Sequence, residues 1–489
     1  MADCSPPEKD VARVSVAKVL ATTAVAIILA LRCPWLDALQ RRPSSQEKLM
    51  RWNSAIISKS TRLVLAMGLL FTSLWLEGQN LRLGAERERL YMQNLRGKRV
   101  AVVAHAASLA DSEHSVDRLL RRGVDLRFVF TPEHGFRGTA SAGEKVESAR
   151  DEQTGLRLVS LYGDRRRPSA ADMDSIDVVV YDLQDLSIRF YTYVSTLIYV
   201  MEACAEYQKT LIVLDRPSPF ADVVDGPILD TARHRSFVGL HPVPVLYGLT
   251  SGEYALMAKG EQWVRGADSL DLQVVPVEHY RRERIYPSSP PSPNLANQNA
   301  INWYPSLCFF EATDVSVGRG TDAPFEQYGA PWWGDSSHWF VPVSRIGATS
   351  PPHEGDTVLG VDLRKVPAPL GIDWSHLWEA KYRYDSLRIA DSLTVYPPFA
   401  RTFINRLSGT SSLMQALDEG WTAGQFQASY FSDVLRYNLA RQRYLLYESK
   451  TDYQPGIVIP NLDQEPLPAQ PQPRKPWWRR KVRSASPKP

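Results

Sequence analysis

The sequence predicts an α/β fold, in which a Rossmann-like doubly wound parallel sheet is followed by a second, smaller α+β C-terminal domain. Three observations carry this prediction. From residue 98 onward, short apolar runs alternate with helical runs. The short runs are apolar along their whole length, which is typical of parallel strands covered by helices on both faces. Charged residues collect directly after these runs, where doubly wound sheets bind their ligands.

The first part of this pattern predicts a strand, a helix and a second strand. Arg99–Ala104 is apolar enough to be a buried strand. Residues 115–122 are helical, because their valine and leucines fall on one face. Residues 125–130 form the next strand, and a polar loop follows it directly. We therefore expect that loop to lie at the carboxyl edge of the sheet.

The alternation continues through three more strands and a helix. The predicted strands are residues 156–161, 176–181 and 210–215, and the predicted helix is residues 193–207. The second of these strands leads into Asp182, Gln184 and Asp185, and the third ends in Asp215 and Arg216. Three strand ends that each carry charged residues indicate a binding or catalytic edge more strongly than one would.

A change in composition marks the second domain. Residues 287–305 are rich in Pro, Ser and Asn, which predicts a junction between a catalytic domain at 95–290 and a C-terminal domain at 291–453. The last helix of the second domain is amphipathic, with Phe431, Val434, Leu435 and Leu439 near helical spacing. Residues 454–489 contain many prolines and a basic run, and we expect a disordered tail.

The distribution of charge argues against a nucleic-acid groove. The 489 residues carry a net charge of +3. Residues 1–76 hold ten Lys and Arg against five Asp and Glu, and residues 454–489 hold seven against two. The body between them therefore has 40 basic and 47 acidic residues. A folded part with excess negative charge does not suit a phosphate backbone, so we expect no nucleic-acid partner.

The N-terminus indicates export. Residues 50–78 combine a basic lead with an apolar run at 63–76, which is typical of a signal peptide, and Met50 lies where its start would be expected. On this interpretation residues 1–49 are a doubtful leader, and the protein is extracytoplasmic, either periplasmic or secreted. The alternatives are a retained membrane anchor, or two membrane helices at 14–31 and 63–76, although both runs are short for a full span.

Several common site types have no motif in this chain. The turn after the first strand has no GxGxxG, and the sequence contains no P-loop, GxSxG elbow or HExxH. We therefore expect no dinucleotide or other cofactor and no metal. Neither CxxC nor a Cys/His metal spacing occurs. Cys204, in a helix-like segment, and Cys308, in a strand-like one, are predicted to be small core residues.

The loop Phe130-Thr-Pro-Glu-His-Gly-Phe-Arg-Gly138 contains the best candidate for acid–base chemistry. Glu133 lies just past a buried strand, where loss of solvent would favour its protonated form and suit a general acid. The alternative is a carboxylate paired with Arg137. His134 and Arg137 are candidate substrate ligands, and Glu144 is a second candidate carboxylate that could instead be a solvated surface residue.

The segment from Asp182 to Tyr193 offers a second group of candidates. Asp182 is a catalytic candidate, and the substrate-binding candidates are Gln184, Asp185, Arg189, Tyr191 and Tyr193, with Arg216 after the next strand. Tyrosine rings suit sugars, because they stack on C–H surfaces while their hydroxyls bond to sugar hydroxyls. The alternative is that Asp182 and Asp185 cap the following helix, and for Asp185 we favour the cap.

Arg319 is the candidate anion ligand of the second domain. It lies between two glycines, so a tight turn presents its guanidinium, which binds carboxylates through two hydrogen bonds. The alternative is a structural arginine tied to Asp322 or Glu326.

Seven segments together resemble the exo-β-N-acetylmuramidase (NamZ) family of peptidoglycan-recycling glycosidases. The resemblance covers roughly residues 95–450. The segments are Phe130–Gly138, Ala142–Val146, Tyr181–Tyr193, Leu214–Pro217, Asp225–Leu229, Ser316–Asp322 and Gly329–Pro331.

The resemblance implies an enzyme that releases N-acetylmuramic acid from the non-reducing ends of cell-wall glycan fragments. The lactyl carboxylate of that sugar calls for an arginine, and Arg189, Arg216 and Arg319 are available. Glu133 would be the general acid, and Glu144 or Asp182 the nucleophile, base or stabiliser. Two other classes stay open: a metal-assisted hydrolase using His134, Asp182 and Asp185, and a non-catalytic module that binds wall fragments.

Overall fold

The computed structural model describes residues 81–448, apart from His134 and residues 138–149, 283–284, 288 and 391–397. The leader, the export or anchor segment, Glu144 and the basic tail therefore lie outside the described residues. None of the helices within the described ranges has the length and apolarity that crossing a membrane requires.

Thirteen strands occur in the described residues. In chain order they are β1 (Arg99–Ala104), β2 (Leu109–Ala110), β3 (Glu113–His114), β4 (Asp125–Thr131), β5 (Arg157–Ser160), β6 (Val178–Asp182), β7 (Thr210–Leu214), β8 (Val224–Asp225), β9 (Leu246–Tyr247), β10 (Leu272–Val275), β11 (Gln327–Ala330), β12 (His338–Phe340) and β13 (Val358–Asp362).

Ten α-helices accompany these strands in the same part of the chain. They are α1 (Met92–Leu95), α2 (Ser115–Arg121), α3 (Ala170–Asp174), α4 (Tyr193–Glu206), α5 (Ser251–Gly260), α6 (Gln298–Leu307), α7 (Ser375–Ala390), α8 (Phe403–Ser408), α9 (Ser412–Asp418) and α10 (Ala423–Arg441). A 3₁₀ turn, Cys308–Ala312, continues directly from α6.

Six strands form a parallel sheet in the order β10-β7-β6-β1-β4-β5. Counted along the chain, this is the doubly wound order 3-2-1-4-5-6, in which the winding reverses at the first strand. Ala104 at the end of β1 pairs with Asp182 at the end of β6, so the carboxyl ends of these strands are level. The predicted parallel α/β sheet is confirmed, and its carboxyl edge collects the polar loops.

The C-terminal region adds a small antiparallel sheet and five helices. Its strands lie in the order β11-β13-β12. The main hydrophobic cluster contains residues of both regions, such as Phe190 after β6 and Phe309 in the 3₁₀ turn, whose rings meet at 5.7 Å. The α+β character of this region is as predicted, while the boundary near residue 290 stays a prediction.

Of two local predictions about the C-terminal region, one was wrong and the other was right only in part. Cys308 is buried as expected, but it begins the 3₁₀ turn and does not lie in a strand. In α10 the buried face consists of Phe426, Tyr430, Val434 and Tyr437, whereas Leu439 is 73% exposed. Phe426 and Tyr430 lie on the buried face because they pack against Trp374. The centroid of the Trp374 ring lies 5.0 Å from that of Phe426 and 6.4 Å from that of Tyr430.

Candidate active site

A cavity of about 340 Å³ opens at the carboxyl edge of the sheet. One side of its wall comes from loops that follow β4, β5 and β6, and from the loop between β8 and β9. The other side comes from the C-terminal region, chiefly α6, the 3₁₀ turn, the Arg319 loop and α8. Its position matches the rule that doubly wound sheets bind ligands beyond their carboxyl ends.

Glu133 lies in the cavity wall, two residues after β4 ends. The adjacent turn is closed by Gly135, whose N–H donates to the Pro132 carbonyl at 3.3 Å and whose φ of 74° favours glycine. Thr192, the residue before α4, donates its hydroxyl to Glu133 Oε2 at 3.4 Å. Tyr193 donates its hydroxyl to the Glu133 carbonyl, also at 3.4 Å. The start of α4 therefore holds the carboxyl in place while leaving it partly accessible.

Tyr162 lies beside Glu133 in the same wall. Burial raises the pKa of Tyr162 well above its usual value, and the Glu133 carboxylate next to it raises it further. Arg166 and Arg319 act in the opposite direction on the same hydroxyl, so both guanidinium groups lie within electrostatic range of it. Glu133 thus lies beside a phenol whose hydroxyl also feels two guanidinium groups of the cavity wall.

Glu311 supplies a second carboxylate to the cavity. Arg319 donates Nε–H to Glu311 Oε1 at 2.5 Å, and the guanidinium also lies over the Phe325 ring at 5.1 Å. Burial lowers the pKa of Arg319, but the charge of Glu311, its hydrogen bond and the smaller contributions of Tyr304 and Cys308 together outweigh burial, so the net shift is upward. Among the described residues that line the cavity, Glu133 and Glu311 are the carboxylates.

The structure places Arg319 at the cavity with a partner that the sequence did not suggest. Asp322 pairs with Arg345 at 2.5 Å, and Glu326 accepts hydrogen bonds from Asn297 and Asn299. The predicted alternative, a structural tie from Arg319 to Asp322 or Glu326, was therefore wrong. Its pairing with Glu311 brings one charge of each sign to the same wall.

Tyr191 and Tyr193, two of the predicted substrate ligands, also lie in the wall. Their rings meet at 4.6 Å, and Tyr191 donates its hydroxyl to the Pro291 carbonyl at 2.9 Å. Tyr193 contacts His105 Nδ1 through its hydroxyl at 3.2 Å. Both tyrosines are buried, so they contribute ring surface to the cavity while their hydroxyls fix the loops around it.

Asp182 and Arg216 do not reach the cavity wall, which corrects their assignment as site residues. Asp182 is 0% exposed, and Arg216 binds it through Nε at 2.6 Å and Nη2 at 2.9 Å. The remaining nitrogen of Arg216 donates to the Leu109 carbonyl at 2.8 Å. This bidentate pair joins Asp182, at the end of β6, to Arg216, which follows the neighbouring strand β7. The two charges therefore neutralise each other inside the fold.

Gln184 and Asp185 are likewise engaged inside the protein. The Gln184 N–H donates to His105 Nε2 at 3.0 Å, and its side-chain amide donates to the Pro217 carbonyl at 2.8 Å. Asp185 accepts hydrogen bonds from the Tyr247 hydroxyl and from the Leu186 N–H. Burial raises the pKa of Asp185 to about 6, against these hydrogen bonds.

The predicted helix cap at Asp185 was also wrong. Helix α4 begins at Tyr193, so its N-cap residue is Thr192, seven residues beyond Asp185. The intervening chain forms a buried loop in which Ser187 has a φ of 62°. Asp182 is too far from the helix start to cap it and pairs with Arg216 instead.

Arg189 is a structural residue. It is 1% exposed, and its guanidinium donates to the carbonyls of Pro227 at 2.9 Å, Val243 at 2.7 Å and Leu407 at 2.9 Å. Burial lowers its pKa to about 9. Because these carbonyls come from distant parts of the chain, Arg189 ties the sheet domain to α8 and does not bind a ligand in the cavity.

Arg137 does not pair with Glu133 and does not line the cavity. It binds Asp151 through Nε at 2.8 Å and contacts Asp117 through Nη2 at 3.2 Å. Both of its polar edges contact carboxylates, so among the described residues its contacts are structural. His134 and Glu144, the other candidates from this loop, lie outside the described residues.

Comparisons with known proteins agree with this architecture. The family model for the N-terminal part of exo-beta-N-acetylmuramidase NamZ matches residues 100–299, and the model for its C-terminal part matches residues 302–447. The peptidoglycan beta-N-acetylmuramidase NamZ of Bacillus subtilis (strain 168) is 30% identical over 385 residues, which covers 73% of this chain and 89% of that protein. The chain belongs to the NamZ family.

Two solved structures share the fold of this NamZ-family chain. Both are DUF1343 family proteins from Bacteroides fragilis NCTC 9343. The first is 36% identical with a TM-score of 0.68, covering 76% of this chain and 100% of that one. The second is 26% identical with a TM-score of 0.64, covering 75% of this chain and 99% of that one. The family assignment makes this chain a glycosidase.

Several residues of this NamZ-family cavity were missed by the sequence prediction. They are Tyr162, Arg166, Ser236, Phe237, Asn294, Tyr304, Glu311 and Arg406. Tyr162 and Arg166 follow β5 directly, so the strand-end rule applied to that strand would have found them. Glu311 and Arg406 come from the C-terminal region, and no strand end in the sequence marks them.

Within the described ranges, no group of three or more His, Cys, Asp or Glu side chains is arranged to hold a metal ion. Of the three residues suggested for a metal, Asp182 binds Arg216 and Asp185 binds Tyr247, and His134 is not described.

Proposed function

We propose that this chain is an exo-acting glycoside hydrolase that releases N-acetylmuramic acid from the non-reducing ends of peptidoglycan fragments. One observation carries the proposal: Glu133 and Glu311 line the same cavity, and glycoside cleavage ordinarily uses two carboxyl groups. Membership in the NamZ family supports the substrate, because the Bacillus subtilis relative is named a peptidoglycan beta-N-acetylmuramidase.

Glu133 serves as the general acid and donates its proton to the glycosidic oxygen as the bond breaks. Its partly buried position, between the Thr192 hydroxyl and Tyr162, restricts the carboxyl to one region of the cavity. A positioned acid of this kind contributes about 10²–10⁴-fold to the rate.

Glu311 serves as the partner carboxylate. Its negative charge offsets the positive charge that develops on the sugar ring, whichever of the three routes the reaction follows: a covalent intermediate, direct attack by water, or participation of the acetamido group. Arg319, at 2.5 Å, fixes the orientation of this carboxylate. We assign to Glu311 the role that the sequence prediction gave to Asp182 or Glu144; Glu144 lies outside the described residues and stays a prediction.

The shape of the cavity supports an exo mode of action. A volume of about 340 Å³ lies near the lower end of the range for small-molecule sites, about 300–1,000 Å³. Such a cavity suits one terminal sugar residue. The ring faces of Tyr191 and Tyr193 and the Tyr304 ring supply apolar surface for it.

An extracytoplasmic location is part of the same proposal. The signal-like segment at 50–78 would take the enzyme to the compartment that contains peptidoglycan. Sequencing the N-terminus of the native protein tests this directly. A product that starts after residue 76 supports export with cleavage, and one that retains residues 1–49 contradicts the assignment of those residues as a doubtful leader.

A time course on the disaccharide of N-acetylmuramic acid and N-acetylglucosamine, followed by proton NMR, tests the proposed activity. We expect release of free N-acetylmuramic acid, and the anomer that forms first reports the stereochemistry. In Glu133→Gln, we expect an unchanged thermal unfolding midpoint and a rate at least ~100-fold lower, the scale of lost acid catalysis. Binding without turnover by the wild type would indicate a non-catalytic module, and loss of turnover with a strong chelator would indicate a metal-assisted hydrolase.

A further inference from the structure

Two arginines in the cavity wall differ from the other arginines around the site. Arg166 follows β5 and Arg406 lies on α8, and both are exposed at the cavity. Among the described residues, neither has a carboxylate within ion-pairing distance. Arg319, in contrast, is already paired with Glu311. The cavity therefore contains two guanidinium groups that no described carboxylate neutralises.

The Arg166 side chain packs on a pair of stacked aromatic rings, Phe237 and Tyr199. Its guanidinium lies 4.7 Å from the centroid of the Phe237 ring. Phe237 in turn stacks on Tyr199, with an interplanar angle of 7° and a centroid distance of 6.2 Å. Cation–π packing holds the face of a guanidinium and leaves its N–H edge available. The support therefore orients Arg166 without consuming its hydrogen-bond donors.

Hydrogen bonds join the loop that carries Phe237 to the turn after α8, the helix that carries Arg406. In the loop before Phe237, the Asp230 N–H donates to the Gly409 carbonyl at 2.8 Å. His234 Nε2 contacts Ser411 Oγ at 3.0 Å. Both contacts join this loop to the turn that follows α8, which carries Arg406.

Ser236 adds an unused polar group to this side. Its hydroxyl oxygen is buried in the cavity wall and has no hydrogen-bond partner among the described residues. A buried hydroxyl without a partner costs free energy unless a ligand or water completes it. We call Arg166, Ser236 and Arg406 the anion corner of the cavity.

We propose that the anion corner binds the lactyl carboxylate of the terminal N-acetylmuramic acid and makes the enzyme select this sugar over N-acetylglucosamine, which lacks the lactyl group. This assignment rests on the proposed function. Guanidinium groups bind carboxylates in planar, charge-assisted pairs, and a serine hydroxyl can donate a further hydrogen bond. Arg189 and Arg216 are excluded because both are buried away from the cavity wall, Arg189 bonded to backbone carbonyls and Arg216 paired with Asp182. Arg319 is excluded because it is already paired with Glu311.

The position of the corner fits the chemistry of the sugar. The lactyl group is attached to C3, on the same ring as the anomeric carbon, so its site must lie within one sugar ring of the general acid. Tyr162 lies between the general acid and the anion corner. It neighbours Glu133, and its ring centroid lies 6.2 Å from that of Phe237, on which Arg166 packs.

A cycle of two substrates and two variants tests this assignment. The substrates are a para-nitrophenyl β-N-acetylmuramide with a free lactyl carboxylate and the same compound with that carboxylate converted to the amide. The variants are Arg166→Gln and Arg406→Gln. The control is Arg235→Gln, because Arg235 is exposed on the same loop as Phe237 but is not part of the cavity wall.

On the acid substrate, each variant should lose about 10- to 100-fold in kcat/KM, the scale of one hydrogen bond to a charged group. On the amide, each variant should lose much less, and the control should match the wild type on both. Equal losses on the two substrates, or no loss on either, would overturn the assignment while leaving the proposed function standing. A wild type that hydrolyses neither compound would overturn both.

Discussion

Two sets of charged residues lie at the carboxyl edge of the same sheet, and their environments differ. The scaffold charges are Asp182, Asp185, Arg189, Asp215 and Arg216, all of them less than 5% exposed and hydrogen-bonded inside the protein. The cavity charges are Glu133, Arg166, Glu311, Arg319 and Arg406, which are partly or fully exposed. A charged residue that follows a strand thus lies at the carboxyl edge of the sheet. Its burial and its hydrogen-bond partners decide whether it can bind substrate or instead stabilises the fold.

The scaffold charges also connect distant parts of the chain. Asp215, at the end of β7, accepts hydrogen bonds from Thr250 and Gly252 at the start of α5 and from the Tyr447 hydroxyl near the end of the described chain. These bonds hold three segments at the sheet edge. The comparison therefore predicts that changes to scaffold charges reduce stability, and that changes to cavity charges reduce activity in a folded protein.

Asp182→Asn should have the largest effect on stability. It leaves Arg216 as a buried charge without its carboxylate partner, and breaking a buried pair on one side costs about 3–5 kcal/mol. Urea unfolding measures the loss, and activity per folded molecule should change little. Replacing both partners by apolar residues should recover much of the stability. A folded, stable Asp182→Asn protein with no activity would instead place Asp182 in the catalytic machinery.

Glu311→Gln should have the next largest effect, on the rate. The variant keeps a hydrogen-bond acceptor for Arg319 but loses the negative charge, and removing one such electrostatic contribution costs about 10²–10³ in kcat. Steady-state kinetics on an aryl β-N-acetylmuramide measure the loss, with the unfolding midpoint as the check on folding. If kcat stays within a few-fold of the wild type, the partner carboxylate is another residue.

Asp185→Asn should change how stability depends on pH. Burial raises the pKa of Asp185 from 3.8 to about 6, so folding favours its protonated form. The stability that this form contributes is complete below about pH 4 and is lost as the pH rises through about 6. Urea midpoints at several pH values should show the wild type losing stability relative to the variant across this window. A difference that stays constant with pH would contradict the assigned environment.

Tyr162→Phe should have the smallest effect. It removes the hydroxyl that lies beside Glu133 but keeps the ring, and a single neutral hydrogen bond contributes about 1 kcal/mol, or roughly fivefold in rate. The expected change is in kcat, with little change in unfolding. A loss as large as that of Glu133→Gln would give Tyr162 a direct part in the chemistry.

The sequence predicted the sheet well, because buried parallel strands leave a pattern that needs no long-range information. Of the site residues that it proposed, Glu133, Tyr191, Tyr193 and Arg319 line the cavity. It could not separate Arg189 from these, since the three carbonyls that bind the terminal nitrogens of its guanidinium come from residues far along the chain.

The remaining site residues depend on contacts between regions. Glu311 and Arg406 reach the cavity only because the C-terminal helices pack onto the sheet domain, and no local pattern specifies that packing. Arg166 is one of three consecutive arginines. Arg165 pairs with Asp172 and Arg167 with Glu206, and only the tertiary structure shows that the middle one faces the cavity.

Comparing Glu133→Gln with the wild type on two leaving groups shows whether Glu133 donates the proton to the glycosidic oxygen. The substrates are the disaccharide of N-acetylmuramic and N-acetylglucosamine residues, and a dinitrophenyl β-N-acetylmuramide. A sugar leaving group needs a proton from the general acid, whereas dinitrophenolate departs without one. We predict a loss of at least ~100-fold on the disaccharide and a far smaller loss on the dinitrophenyl glycoside. Equal losses on both substrates would contradict the role of Glu133 as the acid.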